Sequence, residues 1–288
     1  MKKSHSWFIA PVIAGFLGAA CQSAHTQSQQ PQVIAVPQDE MSKAPGVGAP
    51  AVGDSTPMMQ APAAETPTGP TRLTYNACTV EGPYIAMTFD DGPKPGQTDR
   101  LLDMLKERGI KATFYVIGQN AVAYPELIQR MVAEGHEVGN HSWNHTAFTK
   151  AGGAGVASQI NQTDAALVAA GAPKPVTVRP PYGATNTSIS KRLNEEFGQK
   201  VIMWDVDPLD WKHRNSARVT AEILKNTKAG SIVLAHDIHA TTVDAMPATL
   251  DGLAQKGFKF VTVSELVAMD RPQLAAKTPA VPSAPKPQ

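Results

Sequence analysis

Apolar residues recur along this chain in two alternating rhythms. Runs rich in β-branched and aromatic residues fall at 84–89, 112–117, 137–140, 176–179, 200–204, 231–235 and 258–262, and read as seven strands. Between them apolar positions return every three or four residues, which predicts helices over 98–108, 125–134, 156–170, 188–197, 216–228, 243–256 and 264–269. In the first of these Leu101, Leu102, Met104 and Leu105 share a face; in the second, Pro125 takes the first turn and Leu127, Ile128, Met131 and Val132 form one stripe. Strand and helix in alternation build a parallel sheet, so the expected fold is α/β: a layered domain or an incomplete (β/α) barrel, within residues 71–270.

The flanks lack this pattern. Residues 1–21 carry Lys2 and Lys3, an apolar stretch too short to span a bilayer, and small residues before Cys21, which is the layout of an export signal. The run Leu17 to Cys21 resembles a bacterial lipoprotein signal, which implies a membrane contact only through lipid on Cys21; ordinary cleavage near Ala20 is the alternative. Residues 22–70 and 271–288 hold 13 of the 24 prolines with few large apolar side chains, so both read as disordered, the first as a linker and the second as a tail. The expected location is therefore outside the cytoplasm, in the cell envelope or periplasm, with a lipid anchor at Cys21 if that residue is modified. The net charge is only +1, which argues against nucleic acid as a partner, and two cysteines cannot make a disulfide scaffold.

Titratable residues crowd the predicted strand ends: Asp90 and Asp91 after the first strand, His141 and His145 after the third, Arg179 to Tyr182 after the fourth, Asp205 to Trp211 after the fifth, His236 after the sixth. In βα architectures reactive groups gather at those ends, so the clustering points to an enzyme. His141 and His145, four apart, would share a face on a helical turn, and with one aspartate they would make a two-histidine, one-carboxylate metal set. Asp90 and Asp91 would point opposite ways if the chain there were extended, one to ligate the metal and the other to take a proton from water that the metal activates. His236 is placed to act as a general acid.

These residues resemble the polysaccharide deacetylases, carbohydrate esterase family 4, bacterial peptidoglycan and chitooligosaccharide deacetylases among them, over about 84–269. The motifs are TFDDGP from Thr88, HSWNH from His141, RPPYG from Arg179, DPLDW from Asp207 and LAH from Leu234. The resemblance implies a distorted (β/α)7 barrel. It implies Asp90 as general base, Asp91, His141 and His145 as ligands of zinc or of cobalt, nickel or manganese, and Arg179 orienting Asp90. It further implies an oxyanion donor at the Tyr182 backbone N–H, His236 as acid oriented by Asp210, and Trp211, Leu234, Pro181 and Tyr182 lining the substrate.

The expected reaction is metal-dependent hydrolysis of N-acetyl groups on N-acetylglucosamine units of a polysaccharide, peptidoglycan first and chitin oligomers second. Acetyl xylan esterase, a non-catalytic glycan-binding lipoprotein and a carboxylate-pair glycosidase are the alternatives. His136 and His239 read as structural or solvated histidines, Cys78 as an unpaired small residue and Asp205 as non-catalytic, while Trp143 fits either core packing or stacking on sugar.

Overall fold

The computed structural model describes residues 72–272; the expected signal and linker, and all but the start of the tail, lie outside them. The elements run β1 (Thr74–Tyr75), β2 (Tyr84–Asp90), α1 (Thr98–Glu107), β3 (Thr113–Val116), α2 (Gly118–Ala123), α3 (Pro125–Ala133), β4 (Glu137–Asn140) and α4 (Phe148–Ala169). They continue with β5 (Thr177–Val178), α5 (Thr187–Phe197), β6 (Lys200–Ile202), α6 (Asp210–His213), α7 (Ser216–Asn226), β7 (Ile232–His236), α8 (Ala240–Gln255), β8 (Lys259–Phe260) and α9 (Val263–Ala268).

Every strand ladder is parallel, in the order β1-β6-β5-β4-β3-β2-β7, with β8 beside the start of β2. Six consecutive residues of β2 are buried, as expected where helices and the barrel interior cover both faces of a strand. The ring closes indirectly. Val206, just past β6, bridges Val233 of β7, and lower down Ala77, just past β1, bridges Ser231. These two half-closures make the barrel distorted, in line with the expected (β/α)7 class.

All seven expected strands are present. The eighth, β1, is two residues long and shows no alternation to read; it exists because Thr74 and Tyr75 pair with Val201 and Ile202. β5 also spans only two residues, because the chain after Arg179 enters Pro180 and Pro181, which have no N–H for a ladder. α4 begins eight residues before the expected helix and breaks at Gly152, whose φ of 66° interrupts the apolar rhythm that would have disclosed it.

The main core lies between the sheet and helices α1, α3, α7 and α8, with Leu101, Leu102 and Leu105 fully buried as the stripe in α1 predicts. At the N-terminal mouth of the barrel α9 acts as a plug. Glu137 at the start of β4 accepts hydrogen bonds from the Thr177 hydroxyl (2.8 Å) and from the N–H and hydroxyl of Ser264 (both 2.8 Å), while the Thr113 hydroxyl accepts the Val263 N–H (2.9 Å). The C-terminal mouth is left open for the polar residues that end the strands.

Candidate active site

Asp90 is the last residue of β2 and is 3% exposed. Its Oδ1 accepts from Arg179 Nη1 at 2.7 Å. Arg179 is fully buried and has no slack: Nη1 also reaches the Thr88 hydroxyl at 2.7 Å, Nε the Ile202 carbonyl at 3.2 Å and Nη2 the Met203 carbonyl at 3.0 Å. Its guanidinium lies 4.3 Å from the centre of the Tyr115 ring, and Tyr115 in turn needs Gly139 opposite, where a Cβ would fall 2.5 Å from the ring. A rigid stack inside the barrel therefore fixes one oxygen of Asp90 and leaves Oδ2 to face His141 Nε2, 3.7 Å away.

Asp91 does not continue the strand. Its φ of 75° swings its carboxylate toward the same centre that Asp90 faces, which corrects the expectation that the two point opposite ways. Asp91 Oδ1 lies 3.3 Å from His141 Nε2 and 3.3 Å from His145 Nε2. The Asn120 amide holds the Asp91 carbonyl at 2.8 Å. At the next residue, Gly92, a Cβ would stand 2.2 Å from a carboxylate oxygen of Asp237, so only glycine permits this approach. Asp237 is fully buried and accepts from the Thr98 hydroxyl. Burial, with the charges of Asp91 and Asp90 behind it, pushes the Asp237 carboxyl up to about 7. Neither Asp237 nor Thr98 is among the residues that the sequence motifs single out; a carboxylate next to His236 on a strand end is the signal for the first.

The two histidines are on a loop, not the helical turn that their spacing suggested. Left-handed φ at Ser142 (70°) and His145 (62°) folds the loop back so that both rings face Asp91. Its supports are specific: Asn140 Oδ1 accepts the Ser142 N–H (2.8 Å), Ser142 Oγ the His145 N–H (3.0 Å), and Gln159 of α4 the N–H groups of Trp143 and Asn144 (2.8 and 3.2 Å). Trp143 packs against the main core, where a Cβ on Gly118 would strike it, which resolves its role in favour of packing.

His141 Nδ1 lies 2.7 Å from the Arg179 carbonyl, so Nδ1 carries the proton and Nε2 presents a lone pair. One donor atom each from Asp91, His141 and His145 lies within 4.8 Å of the others. Asp91 Oδ1 is buried and makes no hydrogen bond. An orphaned carboxylate oxygen between two imidazole lone pairs suits a divalent cation of zinc's ligand taste. Burial opposes the Asp91 charge, yet the three imidazoles facing it, His141 first and then His145 and His236, hold the carboxyl down at about 2. Burial, then the neighbouring His141 ring, lowers His145, which favours the neutral imidazole that a ligand needs.

Across the opening, Asp210 at the start of α6 is fully buried. Its Oδ1 accepts from His236 Nδ1 (2.8 Å) and its Oδ2 from the His236 N–H (2.9 Å) and the Thr242 hydroxyl (2.7 Å). Burial disfavours the charged imidazole, but the Asp210 hydrogen bond and charge, joined by Asp90 and Asp91, outweigh it and lift His236 to about 9. Nδ1 is thereby committed and Nε2 is the atom free to give a proton. The His239 ring sits 5.8 Å from the His236 ring, nearer the site than a solvated loop histidine would be, and burial together with Arg214 lowers it to about 4.

Of the expected substrate-lining residues, Leu234 and Pro181 are buried, whereas Trp211 and Tyr182 stand 50% and 72% exposed at the rim. Tyr182 has φ 59° and its ring lies 4.4 Å from that of His145. Asp205 serves barrel closure, accepting from the Ser231 hydroxyl and the Ile232 N–H. His136 is structural, its Nδ1 accepting the Ala112 N–H at 3.1 Å. Cys78 is buried and has no disulfide partner among the described residues.

Comparison with known proteins gives concordant results. Residues 78–202 match the family model described as Polysaccharide deacetylase. The chain is 45% identical over 182 residues to peptidoglycan-N-acetylglucosamine deacetylase PgdA of Listeria monocytogenes, a match that covers 63% of this chain but spans only 38% of that protein's length. It is 36% identical over 187 residues to a peptidoglycan-N-acetylglucosamine deacetylase of Bacillus cereus, covering 64% of this chain and 87% of that one. The solved structure of peptidoglycan deacetylase PdaC from Bacillus subtilis aligns with a TM-score of 0.61 at 39% identity, over 68% of this chain and 95% of that one.

Proposed function

The chain belongs to the polysaccharide deacetylase family, and from that premise we propose that it hydrolyses N-acetyl groups of N-acetylglucosamine units in a cell-wall glycan, releasing acetate and leaving a free amine. The observation that carries this reading is the meeting, at one mouth of the barrel, of the Asp91, His141 and His145 group with two separately held acid–base residues, Asp90 and His236. Peptidoglycan ranks first because relatives named for that substrate match this chain at up to 45% identity. The export signal read in residues 1–21 supports an envelope location, with a lipid anchor at Cys21 as the finer proposal.

Asp91, His141 and His145 would hold the metal, and zinc bound there would supply Lewis-acid polarisation of the acetyl carbonyl and of water. Asp90 is the general base: with Oδ1 tied to Arg179, its Oδ2 takes a proton from the water whose oxygen adds to the carbonyl carbon. The Tyr182 N–H donates to the carbonyl oxygen as charge builds on it. The C–N bond then breaks, and His236 gives the departing nitrogen its proton while Asp210 holds the ring in position. Leu234, Pro181 and Trp211 wall the space for the acetyl methyl group.

The test is acetate release from peptidoglycan fragments, chitin oligomers and acetyl xylan, before and after stripping with a chelator and after adding back zinc, cobalt, nickel or manganese. Stripping should abolish release and zinc should restore it. Release that survives stripping refutes the metal's role; release from none of the three refutes the hydrolysis.

A further inference from the structure

The loop that carries His141 and His145 is tied to α4 by a line of buried polar contacts that begins outside the site. Asn140, the last residue of β4, is fully buried and uses both ends of its amide. Its Nδ2 donates inward to the Ile160 carbonyl at 3.1 Å and to Asp164 Oδ1 at 2.7 Å, while its Oδ1 accepts the Ser142 N–H at 2.8 Å. The Ser142 hydroxyl in turn accepts the His145 N–H, so this one amide holds the start of the left-handed turn between the two histidines. Behind Asp164 stands Gln199, fully buried between α5 and β6, whose Nε2 donates to both carboxylate oxygens at 2.8 and 3.0 Å.

Asp164 is a costly residue for this place. It is 6% exposed, its side-chain hydrogen bonds come from neutral amides, and among the described residues no lysine or arginine pairs with it. Gln199 Oε1 is buried with no donor. Apolar side chains at 164 and 199 would fill the same space without an unpaired charge or an orphaned oxygen. What they could not supply is direction. A carboxylate only accepts, so it admits Asn140 in one orientation, with Nδ2 inward and Oδ1 toward Ser142. An amide at 164 would not do the same, because Gln199 Nε2 reaches both oxygens: the new NH2 group must either oppose Gln199 or turn against Asn140.

We propose that Asp164 is a positioning residue for the metal group: acting through Asn140 and Ser142, it fixes the loop that aims His141 and His145 at Asp91. The proposal rests on the metal role in the deacetylase reading above and extends it to a residue of α4 that is hydrogen-bonded to none of the three proposed ligands.

The experiment measures zinc affinity by competition with a chromogenic chelator, and the visible spectrum of the cobalt-loaded protein. It compares the parent with Asp164→Asn, Asp164→Leu and Glu137→Ala, the last a change at the far end of β4 that loosens the barrel without touching the histidine loop. Asp164→Leu should weaken zinc about tenfold, the low end of the range for groups that orient a ligand, and should shift the cobalt bands. Asp164→Asn, which keeps the shape but not the one-way acceptor, should weaken zinc about threefold. Glu137→Ala should stay within about twofold of the parent with its cobalt bands unmoved, which separates the aiming of the histidines from a loss of stability. Parent-like affinity and spectrum in the folded Asp164 variants overturn the proposal, and so does an equal weakening in Glu137→Ala. Should Asp164→Leu not fold, the isosteric Asp164→Asn decides. Zinc and cobalt are read without substrate, so a parent protein that binds zinc and releases no acetate refutes the deacetylase reading alone.

Discussion

Asp90 and Asp91 are neighbours in the chain, and the structure separates them by their partners, an arginine for one and two histidine rings for the other, which underlies the different roles we propose for them. Asp90→Asn should therefore cut acetate release by roughly 10² to 10⁴ while zinc still binds stoichiometrically, as elemental analysis beside the activity assay would establish. Loss of zinc in that variant would mean the two roles are exchanged. The Asp210 and His236 pair makes a prediction in pH. Because the folded-state pKa of His236 is raised to about 9, the proton-donating form is present below that value and disappears as pH rises through it. Asp210→Asn should move the alkaline limb of the rate profile downward, toward the ordinary histidine value near 6.5, and a limb that stays in place would remove His236 as the acid. Gly92 supplies a third prediction at this scale. A methyl group there collides with Asp237, so Gly92→Ala should displace Asp91 and weaken zinc binding about 10- to 100-fold, measured by competition with a chromogenic chelator.

At the scale of elements, the site depends on segments that are neither helix nor strand. The residue types at the strand ends were legible because aspartates, histidines and an arginine stood at successive boundaries between strand and helix rhythms. The way they converge was not, because it depends on left-handed backbone at Asp91, Ser142, His145 and Tyr182, a conformation that non-glycine residues adopt only when their surroundings impose it. A spacing of four between the histidines suggested a helical turn; the Ser142, Asn140 and Gln159 hydrogen bonds build a loop with the same outcome for the rings. Glu137 was equally hidden, a charged residue opening a strand, with no sign in the sequence that α9 would dock on it. Glu137→Ala leaves the donors of Thr177 and Ser264 without their partner and should cost about 3 kcal/mol, read from urea unfolding, with amide exchange rising first in α9. His136, at the same end, gives acid sensitivity. Burial, then the charges of Lys111 and Arg130, depress it to about 4 against the pull of Glu134, so its contribution is complete above the unfolded value near 6.5 and is lost as pH falls toward 4. The urea midpoint of the parent should fall across that window, and His136→Gln should flatten the fall.

For the whole molecule, the alternating rhythm was sufficient to recover seven strands and the parallel barrel, because each buried strand and each helical stripe carries its own local pattern. What it could not show was the manner of closure, since β1 and the Val206 bridge are one- or two-residue contacts whose partners lie far along the chain. Closure also brings the first and last described residues together. Asp270 accepts the Thr79 N–H at 2.7 Å and pairs with Arg72 at 3.1 Å, while the Arg271 N–H reaches the Thr79 carbonyl at 2.8 Å. The two edges of the described barrel thus meet side by side at its N-terminal mouth, the pole opposite the proposed catalytic residues. A barrel whose two edges are already neighbours can be joined there and cut elsewhere: a circular permutant linking residue 271 to residue 72 and opened between the exposed Pro173 and Lys174 should fold to the same barrel. The same adjacency makes this domain a unit that can be inserted whole into a loop of another protein, spliced in through one narrow stem with its working face turned outward.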